Sequence, residues 1–285
     1  MTPAALNRAT LKDFPLPPIA DGDKDSKGRI LVIAGSREVP GAALLCATAA
    51  MRAGAGKLKI ATGESAAIPI GVAMPEAMVV GLAEHRDGHL AQSAVGQVRE
   101  TARGVDAIVA GPGLANGGAC AAIAAELLRS PAQLVLDAAL LHALRPLDPP
   151  RPSLPILLPH AGELSSLLDC SEQEIARDPV GCGLSAAEAY GALVLVKGVT
   201  SHVVTPDGRA WKYDGGAPGL GVSGSGDVLA GIVGGLLARG ADPISALLWA
   251  VLLHGEAGES LARKVRPIGF LARQIPGEIP ALLPR

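Results

Sequence analysis

The chain has 285 residues, 49% of them hydrophobic and 18% charged, and 25 Lys+Arg against 27 Asp+Glu leave a formal charge of −2. Mean hydropathy is +0.35, which excludes an intrinsically disordered chain and provides for a large buried core. The charge balance and an aromatic content of two Phe, two Trp and two Tyr give neither the basic surface nor the stacking platforms that nucleic-acid binding needs.

Residues 1–28 are polar and dotted with proline, and read as an N-terminal arm carrying one helical turn. The apolar run Ile30–Ala34, ended by Gly35, predicts a strand buried on both faces. A loop from Gly35 to Gly41, a helix over Ala42–Ala53 and a strand over Lys57–Ala61 complete a βαβ unit. The stretch Ala107–Ala125 is free of charge, but Gly111, Pro112, Gly113, Asn116, Gly117 and Gly118 interrupt it. It therefore reads as strand Asp106–Ala110, loop Gly111–Leu114 and helix Ala119–Leu128, not as a membrane span.

Further strands are expected at Leu134–Asp137, Pro155–Leu158 and Leu193–Lys197, with helices at Glu163–Leu168 and Ala186–Tyr190 between the last two. Ser201–Val204 and Ala210–Tyr213, separated by Pro206-Asp-Gly208, predict a hairpin. Two long apolar helices, Ser225–Ala238 and Pro243–Ala262, are expected to close the chain. Alternating short strands and helices predict an α/β fold with a central, mostly parallel sheet flanked by helices, in one domain over 1–285. Cys46, Cys120, Cys170 and Cys182 lie far apart without a C-x-x-C pair, and the N-terminus lacks an apolar signal core. Both features point to a reduced, cytoplasmic protein with no membrane partner.

Ligands of such sheets bind beyond the carboxyl ends of the strands, where Gly35, Gly111, Gly113 and Gly198 fall. There is no G-x-x-x-x-G-K-[ST]. Gly219-Leu-Gly221-Val-Ser-Gly224 matches a dinucleotide fingerprint, yet Asp214-Gly-Gly-Ala-Pro218 precedes it where a strand is required. Gly111-Pro-Gly113 follows a strand but has Asn116 at the third glycine position. More informative is Gly221-Val-Ser-Gly224-Ser225-Gly226-Asp227, which runs straight into a helix. Small residues there let a ligand approach N–H groups at the positive end of the helix, a ready anion site. Two readings of Asp227 stay open: a capping residue, or a base for a hydroxyl that attacks a phosphate held by the preceding residues.

The segment Gly224-Ser-Gly-Asp-Val-Leu-Ala-Gly231 resembles the Gly-x-Gly-Asp motif of ribokinase-like kinases. Gly28-Arg-Ile-Leu-Val-Ile-Ala-Gly-Ser36, Gly41-Ala-Ala and Arg52-Ala-Gly-Ala-Gly56 look like the opening of the NAD(P)H-hydrate dehydratases. Ala110-Gly-Pro-Gly-Leu114, Pro159-His-Ala-Gly-Glu163, Val196-Lys-Gly198 and Leu253-His-Gly255 follow in that family's order and approximate spacing. The resemblance spans Gly28 to Leu261.

It implies a ribokinase-like fold without a separate lid domain, and nucleotide-dependent dehydration of (6S)-NAD(P)H hydrate to the reduced cofactor with release of phosphate. ADP or ATP with Mg²⁺ would serve as co-substrate, ADP going to AMP. Gly224, Ser225 and Gly226 would stabilise the transferred phosphoryl group and Asp227 would take the hydroxyl proton. Lys197, Gly198, Val199, Thr200 and Ser201, with Gly226, would contact the adenine nucleotide. Ala42, Gly113, His160 and Asp227 would contact the hydrate, and Glu163 would help hold Mg²⁺ through water. The resemblance also implies a homo-oligomer, a tetramer.

The family's Asp-Ala-Asp-Ala-Leu-Asn is here Asp137-Ala-Ala-Leu-Leu-His142, and Leu158 and Ala161 replace its usual Thr and second Pro. These departures predict altered substrate affinity or identity with the chemistry intact. The epimerase half often fused N-terminally in the family has no counterpart before the first expected strand, so a separate chain would supply it. His254, within an apolar helix, reads as a core histidine with its hydrogen bonds satisfied. A vitamin-precursor kinase of the same fold, releasing phosphorylated product, is the competing enzyme. A non-catalytic homologue that only binds adenine nucleotide is the competing binding module.

Overall fold

A computed structural model of the chain describes residues 2–18, 27–142, 144–146, 151 and 153–284. Ten strands form one sheet: β1 (Ala4–Ala5), β2 (Arg29–Ile33), β3 (Lys57–Gly63), β4 (Ala77–Leu82), β5 (Ala107–Ala110), β6 (Gln133–Leu136), β7 (Ile156–Leu157), β8 (Leu193–Val196), β9 (Ser201–Val204) and β10 (Ala210–Tyr213). Their order is β1-β10-β9-β8-β7-β6-β5-β2-β3-β4. Every pairing is parallel except β8 with β9 and β9 with β10. The expected mostly parallel sheet is thus present, with the predicted hairpin as its antiparallel part.

The helices are α1 (Gly41–Arg52), α2 (Glu64–Ala73), α3 (Ala94–Thr101), α4 (Cys120–Leu127), α5 (Ala139–His142), α6 (Ala161–Leu168), α7 (Glu172–Arg177), α8 (Pro179–Tyr190), α9 (Ser225–Ala238), α10 (Pro243–Lys264) and α11 (Ile275–Leu282). Successive side chains of each central strand alternate between two cores. Ile30, Val32, Ala107 and Val109 pack with α1, α9 and α10, whereas Leu31, Ile33, Ile108 and Ala110 pack with α3, α4 and α8. Burial on both faces is what the continuous apolar runs encode.

The chain departs from the sequence expectations in several places, among them the unexpected short helices α5 and α7 and helix α11, which follows the two long helices expected to close the chain. Residues 64–101, which carry no clear periodicity, hold α2, β4 and α3; Pro69 inside α2 masks its helical signal. Helix α8 starts at Pro179, seven residues before the expected Ala186, because Asp178 accepts from Gly181 N and Pro179 takes the first helical position. The N-terminal arm is also tied to the sheet. β1 pairs with β10, Phe14 packs edge-on against Trp211, and Trp249 Nε1 donates to Phe14 O at 2.7 Å. The expected helical turn of the arm is a 3-10 helix over Thr10–Asp13, and residues 19–26 of the arm lie outside the described residues.

Chain order reverses between β2 and β5: β3 and β4 continue to one side of β2, β5 through β8 to the other. The crevice beyond the carboxyl ends of β2 and β5 is therefore where this architecture places a ligand.

Candidate active site

Helix α9 carries the Gly-rich segment at its N-terminus. Its N-cap, Gly224, has φ +88°, and no side chain caps the helix. The first-turn N–H of Ser225 bonds Val222 O, and that of Val228 bonds Gly224 O. Among the described residues the N–H groups of Gly226 and Asp227 have no acceptor. Asp227 sits in the first turn without capping it, so of the two readings of this residue the capping role is absent. What remains is a helix end with open donors and a carboxylate beside them. Helix α9 reaches this place because Gly231 and Gly235 let it lie against the backbone of α1; a Cβ on either would collide with Cys46 O or Ala50 O.

Under the open helix end lies an ion cluster. Lys197, immediately after β8, puts Nζ 2.8 Å from Asp137 Oδ1 and 3.7 Å from Glu163 Oε2, and 3.8 Å from where a Cβ would stand on Gly226. Burial disfavours the Lys197 ammonium, but Asp137 and Glu163 outweigh it and hold its pKa above the ordinary lysine value. The carboxyl of Asp227 is pushed up to about 6, first by burial and then by the charge of Asp137, against the pull of Lys197. A carboxyl poised there is ionised at neutral pH yet basic enough to accept a proton.

His160 and Glu163 belong to the same corner. His160 caps α6: its Nδ1 accepts from Gly162 N and Glu163 N, while Glu163 Oε2 accepts from His160 N at 2.8 Å. His160 bridges to Lys197 across the strand ends, and its side chain is 59% exposed. Glu163 is buried, its carboxylate committed to this cap and to Lys197. Among the described residues no three of His, Cys, Asp and Glu are grouped so as to hold a metal ion. With its oxygens engaged by His160 and Lys197, Glu163 would reach a metal ion through water.

The crevice between β2 and β5 brings Ala42 and Gly113 together. Gly113 has φ +63°, and a Cβ there would strike that of Ala42. Gly35 N donates to Pro112 O at 2.8 Å, which ties the loop after β2 to the loop after β5. The backbone carbonyl of Asp137 blocks any side chain at Gly111, so this crevice and the ion cluster share a wall. The segment 197–201 divides. Lys197 points inward at 19% side-chain exposure, whereas Val199 is fully exposed. Thr200 Oγ1 donates to Asp214 Oδ1 at 2.9 Å, and Ser201 Oγ to Gly198 O at 3.4 Å.

Two residues gain importance that sequence reasoning did not give them. Asp137 is nearly inaccessible, and the residue after it, Ala138, has φ +48°, a conformation a non-glycine residue adopts at a cost of roughly 1–2 kcal/mol. The signal was available, since Asp137 ends a strand at the carboxyl edge of a parallel sheet. His254 lies on α10, with Nε2 3.0 Å from Ser225 Oγ and 3.1 Å from Ser225 O. It is hydrogen-bonded as expected, but to the Gly-rich segment itself. Of the positions that depart from the family pattern, Ala139 and Leu158 are buried in the cores and His142 is exposed; none belongs to the ion cluster. Two cavities of about 530 and 680 Å³ open at the opposite end of the sheet around Arg29 and Asp106, and hold none of these groups.

The model of the NAD(P)H-hydrate dehydratase family matches residues 30–281. An ADP-dependent (S)-NAD(P)H-hydrate dehydratase of Xanthomonas campestris is 43% identical over 98% of this chain and 96% of its own. A bifunctional NAD(P)H-hydrate repair enzyme of Moorella thermoacetica is 34% identical over 93% of this chain, which spans about half (51%) of that protein. The crystal structure of the Bacillus subtilis ADP/ATP-dependent NAD(P)H-hydrate dehydratase, co-crystallised with ATP/Mg²⁺, superposes with TM-score 0.86 at 28% identity, covering 99% of this chain and 98% of the other. The fold is the ribokinase-like one, and the chain belongs to the NAD(P)H-hydrate dehydratase family.

Proposed function

We propose that this chain dehydrates (6S)-NAD(P)H hydrate to NAD(P)H in a nucleotide-dependent reaction, with ADP converted to AMP. The observation that carries the reading is the Asp227 carboxyl, poised at about 6, on an uncapped helix end with the Lys197 ammonium beneath it.

Asp227 accepts the proton of the C6 hydroxyl as its oxygen attacks the terminal phosphorus of the nucleotide. The O–P bond forms, the phosphoanhydride bond breaks and AMP leaves. The C6–O bond then breaks with loss of a ring proton, giving NAD(P)H and inorganic phosphate. Hydroxide leaves poorly and phosphate well, so the first step activates the second. The N–H groups of Gly226 and Asp227, the Ser225 hydroxyl and Lys197 face the charge that develops on the transferred phosphoryl. Where the nucleotide brings magnesium, the ion would neutralise phosphate charge, and Glu163 would hold it through water. The Lys197–Ser201 segment and Gly226 take the nucleotide. Ala42, Gly113 and His160 line the side given to the hydrate. The described residues form one domain in this reading.

The test is a coupled absorbance and phosphate assay on enzymatically hydrated NADH, with ADP and then ATP, plus Mg²⁺. Return of the reduced nicotinamide absorbance with one phosphate per turnover is the expected result. A phosphorylated alcohol product would favour the vitamin-precursor kinase. Nucleotide binding without any product would favour the binding module.

A further inference from the structure

The open helix end is built from Gly224, Ser225 and Gly226, of which only Ser225 has a side chain through which the segment can be held. Gly224 has φ +88°, and Gly226 makes no contact closer than 3.8 Å at the Cβ position. The partner of Ser225 is His254 on the neighbouring helix α10. One nitrogen, Nε2, lies within hydrogen-bond distance of both Ser225 Oγ (3.0 Å) and Ser225 O (3.1 Å).

That geometry fixes the tautomer. A backbone carbonyl only accepts, and an unprotonated Nε2 would set its lone pair against the carbonyl's at 3.1 Å. Nε2 therefore carries the hydrogen and shares it between the two oxygens. The hydroxyl of Ser225 accepts from the ring and retains its own proton to donate elsewhere. Burial, reinforced by the charge of Lys197, depresses the pKa of His254 to about 4, so the ring is neutral near pH 7 and does not compete with Asp227 for protons. Helix α10 is a firm base for it: Asp242 caps its N-terminus, and Gly255, next to His254, is pressed against the Tyr213 ring.

We propose that His254 is a positioning residue, whose Nε2–H pins Ser225 so that the anion-binding turn keeps its shape and the Ser225 hydroxyl proton stays available to a phosphoryl oxygen. The proposal rests on reading that turn as the phosphoryl site. His254 itself touches neither nucleotide nor hydrate.

Two substitutions separate this role from simple packing. His254→Gln keeps an N–H donor at nearly the same reach; His254→Leu keeps bulk and removes the donor. His254→Leu is expected to lower kcat about 10- to 100-fold and weaken ADP, measured by titration calorimetry, about fivefold. His254→Gln should hold kcat within about tenfold of wild type and ADP affinity within about twofold, both above the leucine variant. Nitrogen-15 spectra of the wild-type imidazole should show the Nε2–H tautomer, untitrated above about pH 5.

Equal effects of the two variants on both kcat and ADP affinity, or an Nδ1–H tautomer, would overturn the proposal. If His254→Leu does not fold, the tautomer and His254→Gln decide it: Nε2–H with retained turnover upholds the role, and a more than tenfold loss in His254→Gln overturns it. If wild-type protein releases no phosphate from hydrated NADH, the dehydratase reading fails separately. The tautomer and the ADP affinities of the two variants then still decide the role of His254.

Discussion

Lys197 reaches across the end of β7 to place its Nζ 2.8 Å from Asp137 Oδ1, joining the ends of β8 and β6 directly beneath the turn that opens α9. Breaking a buried pair by removing one partner strands the other charge, at a cost of about 3–5 kcal/mol. Asp137→Asn and Lys197→Met should each lower urea-derived stability by that order. The double variant should recover part of the loss, since neither Asp137 nor Lys197 is then left as a charge without its partner. Additive losses in the cycle would show that the two do not act as a pair.

Asp227→Asn separates chemistry from binding. Loss of a general base costs about 10²–10⁴ in kcat, while the open N–H groups that take the nucleotide are untouched. Calorimetry should show ADP affinity largely kept in a protein with almost no turnover. An active Asp227→Asn enzyme would remove Asp227 as the base.

The same substitution should stabilise the fold at neutral pH. The native carboxyl titrates at about 6 against a reference of 3.8, so between these values the folded state holds a proton that the unfolded chain gives up. Asp227 therefore lowers stability as pH rises from about 4 to about 6, by an amount on the order of 3 kcal/mol at pH 7. Urea melts of wild type and Asp227→Asn should diverge at pH 7 and converge near pH 4.

In wild-type enzyme kcat/KM should rise tenfold per pH unit below about 6 and level above it, since the profile reports the free enzyme's base. The charge of Asp137 helps to raise that value, so the midpoint in Asp137→Asn should move toward acid. A profile that ignores this substitution would place the titrating group elsewhere.

Two glycine substitutions are expected to behave oppositely. A Cβ on Gly226 meets only Lys197 Nζ, at 3.8 Å, with no backbone strain. Gly226→Ala should fold within about 1 kcal/mol of wild type yet lose ADP affinity more than about tenfold, because its methyl group occupies the space between the turn and Lys197. Gly111→Ala would drive a Cβ into the Asp137 carbonyl from a backbone at φ +121°, and should lose more than about 4 kcal/mol or fail to fold. Thermal melts alongside ADP titration distinguish the two.

The sequence by itself determined the parallel α/β sheet, most of its strands, and the glycine-rich start of α9. These features are local: apolar runs such as Ile30–Ala34 have the length and flanking glycines of doubly buried strands, and Gly224-Ser-Gly-Asp227 needs no distant partner to announce a helix end. Residues 64–101 stayed unread because Pro69 sits within α2 and because the only cue to β4 is a short apolar run.

What only the tertiary structure decided is which groups meet. Asp137 and Lys197 follow two different strands and Glu163 lies in the first turn of α6, and nothing in their local sequence states that one ammonium serves two carboxylates. His254 obeys every local rule of a core histidine, and its contact with Ser225, 29 positions away, exists only because α10 packs on α9. Charge pairing and burial are properties of side chains brought together from distant parts of the chain, so a pKa such as that of Asp227 is set by the fold and not by its own segment.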